Sequence, residues 1–127
     1  MTPSQAVVWI DQHEAHVMHI NEDDVETSIV HPSRQHQHLH AHADKKGGGR
    51  APGDPGYYHE VVEALADAQE ILVVGPAQAK LQLIKHMQAH DPATAARVVG
   101  VESVDHPSDG QVVAYARKYF DAREKTL

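Results

Sequence analysis

A mixed α/β sheet flanked by helices is the fold class this sequence predicts, and three observations predict it. The first thirty residues hold short apolar or alternating runs separated by polar turns. The second half alternates helical and strand periodicity. Hydrophobic residues make up 41% of 127, enough to fill one core of ordinary size, so a single domain over residues 1–127 is expected.

The run AVVWI over residues 6–10 is continuously apolar, as a strand covered on both faces requires. It stops at the turn sequence Asp11-Gln12-His13, and residues 14–20 return with partial alternation as a second strand. A polar Asn21-Glu22-Asp23-Asp24 turn leads to a weaker third strand at 26–30, which completes an antiparallel meander. Residues 31–56 then change character, with five histidines, Lys45-Lys46, the glycine run 47–49, Arg50 and a Pro/Gly-rich end. A stretch this long without apolar pattern is expected to be a functional or unstructured loop inside the domain.

Tyr58, Val61, Val62, Leu65 and Ala68 fall on one face of a helix that Asp54 and Pro55 would start. Residues 71–74 read as a buried strand ending at Gly75-Pro76, and Leu83, Ile84 and Met87 give the inner side of a second helix closing near His90. Asp91-Pro92 caps a short helical piece to about Arg97, and residues 98–101 are the fifth strand. Ser108 with Gln111 matches a capping box ahead of a last helix whose apolar face is Val112, Val113, Ala116, Tyr119 and Phe120. Because strand–helix–strand crossovers are right-handed, the last two strands should run parallel and extend from the first, giving the sheet order 3-2-1-4-5.

Composition excludes several chemistries. With no cysteine, disulfides, thiolate metal sites and cysteine nucleophiles are ruled out. Lys plus Arg number 11 against 18 Asp plus Glu, a formal charge of −7 that argues against generic DNA coating. Twelve histidines make that charge conditional on pH, enough to reverse its sign if all were protonated. The five-residue apolar stretch before Asp11 is too short for a signal peptide or a membrane span, so a soluble cytoplasmic protein without a membrane partner is expected. The weak strand at 26–30 offers an edge through which a homodimer would pair.

Candidate sites follow from residue type. Lys45, Lys46 and Arg50 flank glycines in the long loop, and backbone that approaches closely beside cations suits phosphate, so these three are the RNA-binding candidates. The same residues also fit a solvated loop. His36, His38, His40 and His42, after His31, recur with period two and so share one face of an extended segment, where neutral imidazoles would hold Zn²⁺ or Ni²⁺. His86 and His90, one helical turn apart, form a second ligand pair or a surface pair. Asp11, Glu102 and Asp105 should lie at the C-terminal ends of parallel strands, where ligand sites of open α/β sheets collect and where carboxylates would hold Mg²⁺ for phosphodiester cleavage. Service in turns and helix starts is the alternative for Asp11 and Asp105.

The stretches VVWIDQHEAHV, GRAPGDPGYYHEVVEAL, ILVVGPAQAKLQLIKHM and RVVGVESVDHPSDGQVVAYARKYF resemble a family of small bacterial proteins labelled translational machinery protein. That family is similar to the middle domain of archaeal and eukaryotic class-1 peptide-chain release factors. The resemblance covers nearly the whole chain and is most specific in GPAQAK and VESVDHPSDGQ. In release factors the corresponding loop carries a Gly-Gly-Gln tripeptide that helps position water against the peptidyl-tRNA ester. Here Gly47-Gly48-Gly49-Arg50 stands in that place, with Gly48 and Gly49 as candidates, but Gly49 or Arg50 replaces the glutamine. The resemblance therefore implies a domain that docks its loop on the ribosome, tRNA or rRNA. It also implies no codon-reading function, since one fold fills the 127 residues. The remaining expectations are a hydrolase, either a peptidyl-tRNA-type esterase or a metal-dependent nuclease, and a histidine-based metal-binding protein.

Overall fold

The computed structural model describes residues 4–32 and 55–126. Strands β1 (Gln5–Ile10), β2 (Ala15–Ile20) and β3 (Val25–Val30) form the meander, followed by α1 (Pro55–Leu65), β4 (Glu70–Gly75), α2 (Ala79–His90), α3 (Pro92–Ala95), β5 (Val98–Ser103) and α4 (Asp109–Thr126). The five strands make one sheet in the order β3-β2-β1-β4-β5. β1 pairs antiparallel with β2 and parallel with β4, and β4 pairs parallel with β5, as the crossover argument requires.

Both faces of β1 are buried, which is why its sequence is apolar without interruption. Ala6, Val8 and Ile10 join Ala15, Val17, Ile71 and Val73 under α1 and α2, in a core closed by Tyr57, Val61, Leu65, Leu83 and Met87. Val7 and Trp9 face the other way, with Met18, Ile20, Leu72 and Val74, and are covered by Val112, Ala116 and Phe120 of α4. Helices therefore cover both faces of the central strands. β3 is at the sheet margin with four consecutive exposed residues, among them Ile29, which is half exposed. No described helix is long and apolar enough to cross a membrane.

Side-chain capping sets several boundaries. In the first hairpin, Asp11 Oδ1 accepts from the backbone N–H groups of His13 and Glu14, and the Asp11 N–H donates to the Glu14 carbonyl. Asp91 accepts from the N–H and hydroxyl of Thr94. Ser108 and Gln111 exchange the reciprocal bonds of a capping box at the start of α4. Some limits differ from the sequence reading. Ala68 is buried but lies beyond α1, which stops at Leu65 when the chain turns so that the Ala68 N–H donates to the Leu65 carbonyl. β5 continues past Val101 to Ser103 because the pairing with β4 extends to Gly75. Asp54, the expected cap of α1, lies outside the described residues.

Candidate functional site

The strand ends line up along one edge of the sheet. Val30 is opposite Ala15, Ala15 is opposite Ile10, and Gly75 is opposite Ser103. Gly75 closes the row by lying against the Ile10 carbonyl. β3 therefore delivers His31 and Pro32 to this edge, and α1 begins beside it, where the buried Tyr57 donates its hydroxyl proton to the Asp11 carbonyl at 2.8 Å. Burial, with Asp11, Tyr58 and Glu14 nearby, raises the Tyr57 pKa and holds the phenol protonated as a donor. The described residues on either side of segment 33–54 thus both belong to the edge that carries Asp11 and the β4 and β5 termini.

The most connected side chain at this edge is His16. The β1–β2 register places it opposite Trp9, and the two rings meet edge to face at 5.8 Å. Its Nδ1 lies 2.8 Å from Asp109 Oδ1 at the start of α4, and its Nε2 lies 3.0 Å from Glu14 Oε2 in the hairpin. Ionised carboxylates only accept, so with both of them ionised each ring nitrogen donates and the group is an imidazolium. Burial works against that charge, but hydrogen bonds and attraction from Glu14 and Asp109 overcome it and raise the His16 pKa. An imidazolium with both protons engaged cannot act as a base. His16 is a clamp between the meander and α4, and nothing in the sequence near it announces Asp109, 93 residues away.

This clamp has a definite pH dependence. Since its pKa is above the 6.5 of a free imidazole, the stabilisation it contributes is complete below pH 6.5 and fades as pH rises through the folded-state value. Chemical denaturation of wild type and His16→Gln should show a stability gap that is widest near pH 6 and narrows toward pH 9, modest in size because Glu14 and Asp109 are about two-fifths exposed. A gap that widens with pH would contradict the assignment.

Beside the clamp, Trp9 donates its indole N–H to the Asp105 carbonyl at 2.8 Å and lies under the His106 ring at 5.1 Å. His106 Nε2 is 3.8 Å from Asp11 Oδ2. A cavity of about 410 Å³ opens here, with Val74, Val104, Pro107 and Val112 as apolar lining and His106 and Tyr115 among its polar members. Burial, with Glu102 and Tyr119 nearby, raises the Tyr115 pKa. The site can take a flat or apolar group against imidazole and phenol rings.

The sequence-predicted residues separate accordingly. Asp11 and Asp105 do share the C-terminal edge, but Asp11 holds the hairpin turn, Asp105 supplies its backbone carbonyl to Trp9, and Glu102 lies near Tyr115. Among the described residues no three His, Asp or Glu side chains are already arranged to hold a metal ion. His31 is exposed directly after β3. His36, His38, His40, His42, Lys45, Lys46, Gly48, Gly49 and Arg50 lie outside the described residues. Sequence reasoning missed His16 and Trp9. The signal that finds them is the hairpin itself, because a turn centred on residues 12 and 13 pairs Trp9 with His16.

A doubly covered mixed sheet with this strand order defines the chain as an α/β domain of the open-sheet class. Its fold is release-factor-like, as comparison with solved structures shows. Pelota from Archaeoglobus fulgidus matches with a TM-score of 0.61 at 18% identity, over 96% of this chain and 38% of that one. Dom34 from S. cerevisiae, described as a translation termination-like factor involved in RNA quality control pathways and interacting with Hbs1, matches with a TM-score of 0.59 at 10% identity, over 96% of this chain and 36% of its own. The archaeal translation termination factor aRF1 gives a TM-score of 0.54 at 11% identity, over 84% of this chain and 31% of that one. The chain thus spans about a third of the length of these structures. No protein-family profile matches the sequence, and no curated protein matches it.

Proposed function

We propose that this chain is a translation-associated domain that binds ribosomal RNA or tRNA through the segment between β3 and α1. The observation that carries the reading is the release-factor-like fold, found in two factors described as acting in or like translation termination. The position of His31 and Tyr57 at one sheet edge supports it, because the described residues on both sides of the segment belong to that edge. Lys45, Lys46 and Arg50 would neutralise phosphates, and neighbouring histidines would add charge or stacking on unpaired bases. The −7 charge of the whole chain would then favour selective contact over general coating, since attraction is concentrated in one segment.

Co-sedimentation with ribosomes tests this. Wild type should pellet with them, and a Lys45→Glu, Lys46→Glu, Arg50→Glu variant should bind about tenfold more weakly or worse, with a shallower dependence on salt. The edge should be unaffected by these changes, so an unaltered thermal unfolding curve is expected alongside. Absence of wild type from the pellet, or equal binding by the variant, would overturn the reading.

A further inference from the structure

The helical layer opposite α4 carries a histidine cluster that the sheet edge does not use. His86 and His90 are one turn apart on α2, with ring centres separated by 4.5 Å. His59 of α1 stands across from them, its ring centre 6.5 Å from that of His86. Nε2 of His86 is buried without a hydrogen-bond partner. We propose that His86 and His90 chelate one divalent transition-metal ion of the Zn²⁺ or Ni²⁺ type, and that the exposed His59 turns in as a third imidazole only when the ion is bound.

Geometry and ligand chemistry both support this. Residues four apart on a helix present their side chains to the same side, and rings at this spacing can each turn a nitrogen onto an ion at about 2.1 Å. An unpartnered buried ring nitrogen is costly, and a coordinated metal would satisfy it. His59 Nε2 is 3.2 Å from Glu63 Oε2 on the same helix. That contact leaves Nδ1 as the nitrogen with the free lone pair and supplies the outer carboxylate that metal-bound histidines commonly have. The His59 side chain is 62% exposed, so it can turn toward the α2 pair without disturbing the core. Imidazole donors select Zn²⁺, Ni²⁺ or Cu²⁺ over Mg²⁺.

Thermal unfolding of the full-length protein at pH 7.5, with Ni²⁺, Zn²⁺ or Mg²⁺ added, tests the site. Ni²⁺ or Zn²⁺ at a large excess over Kd should raise Tm by roughly 5 °C or more, because the unfolded chain does not hold the His86 and His90 rings one helical turn apart, and Mg²⁺ should not. The rise should disappear in His86→Gln and in His90→Gln, the second of which alters an exposed residue and keeps the fold. It should persist in a variant with His36, His38, His40 and His42 all changed to Gln, which separates the helical site from the histidine-rich segment. Any other pattern, including no rise in wild type or a rise that survives loss of His86 and His90 together, overturns the proposal.

Discussion

Replacing Trp9 by alanine is expected to lower stability by about 3–5 kcal/mol, the range for deleting a large buried aromatic side chain. Trp9 is 5% exposed and fills the α4 side of the sheet with Met18, Val74 and Val112. Its loss also takes the indole donor from the Asp105 carbonyl and removes the ring against which His16 and His106 lie. Trp9→Phe separates these effects. Phenylalanine retains most of the apolar contact but cannot donate, so a smaller cost of about 1–2 kcal/mol is expected from the lost hydrogen bond and residual void. Urea denaturation of the two variants measures the difference. Equal losses would mean that the hydrogen bond, and not packing, sets the contribution of Trp9. Because Trp9 holds residues 105 and 106 beside the cavity, Trp9→Ala should also broaden the His106 imidazole resonances by NMR, whereas Trp9→Phe should alter them less.

The sheet was legible because its determinants are local. AVVWI can only be a strand buried on both faces, and the short meander with two later strand–helix units leaves a single right-handed arrangement. Capping was legible at Asp91 and Ser108 for the same reason, since both the cap and the group it satisfies lie within three residues. The end of α1 was not: Ala68 continues the apolar spacing but is buried from a turn, because burial depends on where the chain goes as well as on period. The edge chemistry was hidden for a stronger reason. His16 gains its carboxylate partners from the hairpin and from α4, elements joined only by tertiary packing. Composition pointed to residues 31–42 for histidine chemistry, yet His59, His86 and His90 come together from two helices that periodicity alone does not place side by side.

The same edge explains why charge averaged over the chain is a poor guide to its surface. Asp11, Glu14 and Asp109 are acidic, but Asp11 is held by backbone N–H groups and His106, and the other two share a proton-bearing imidazole. Part of the negative charge at the sheet edge is thereby compensated within the fold. An anion brought to this edge would meet less repulsion than the count of carboxylates suggests.

Gly75→Ala is expected to cost about 3 kcal/mol or more, and to cost clearly more than Gly100→Ala, although both glycines sit in strands with almost equal clearance. A Cβ at Gly75 would fall 2.2 Å from the carbonyl oxygen of Ile10, and at Gly100 it would fall 2.1 Å from the Tyr119 hydroxyl. What stands in the way decides the outcome. The Ile10 carbonyl belongs to β1, which is paired on both sides and buried, so relief at Gly75 needs two central strands to separate just where the row of strand ends is formed. At Gly100 the obstacle is the far end of a side chain, which can swing away at the expense of its hydrogen bond to the Val99 carbonyl, worth about 1 kcal/mol. Removing that hydroxyl in a Gly100→Ala, Tyr119→Phe double variant should recover part of the loss, while no single side-chain change near Gly75 should rescue Gly75→Ala. Thermal and urea denaturation of the three variants would measure the order. If Gly75→Ala proved as mild as Gly100→Ala, β1 and β4 would have to yield at their C-terminal ends, and the edge that carries Asp11 and the cavity would be a compliant surface instead of a fixed one.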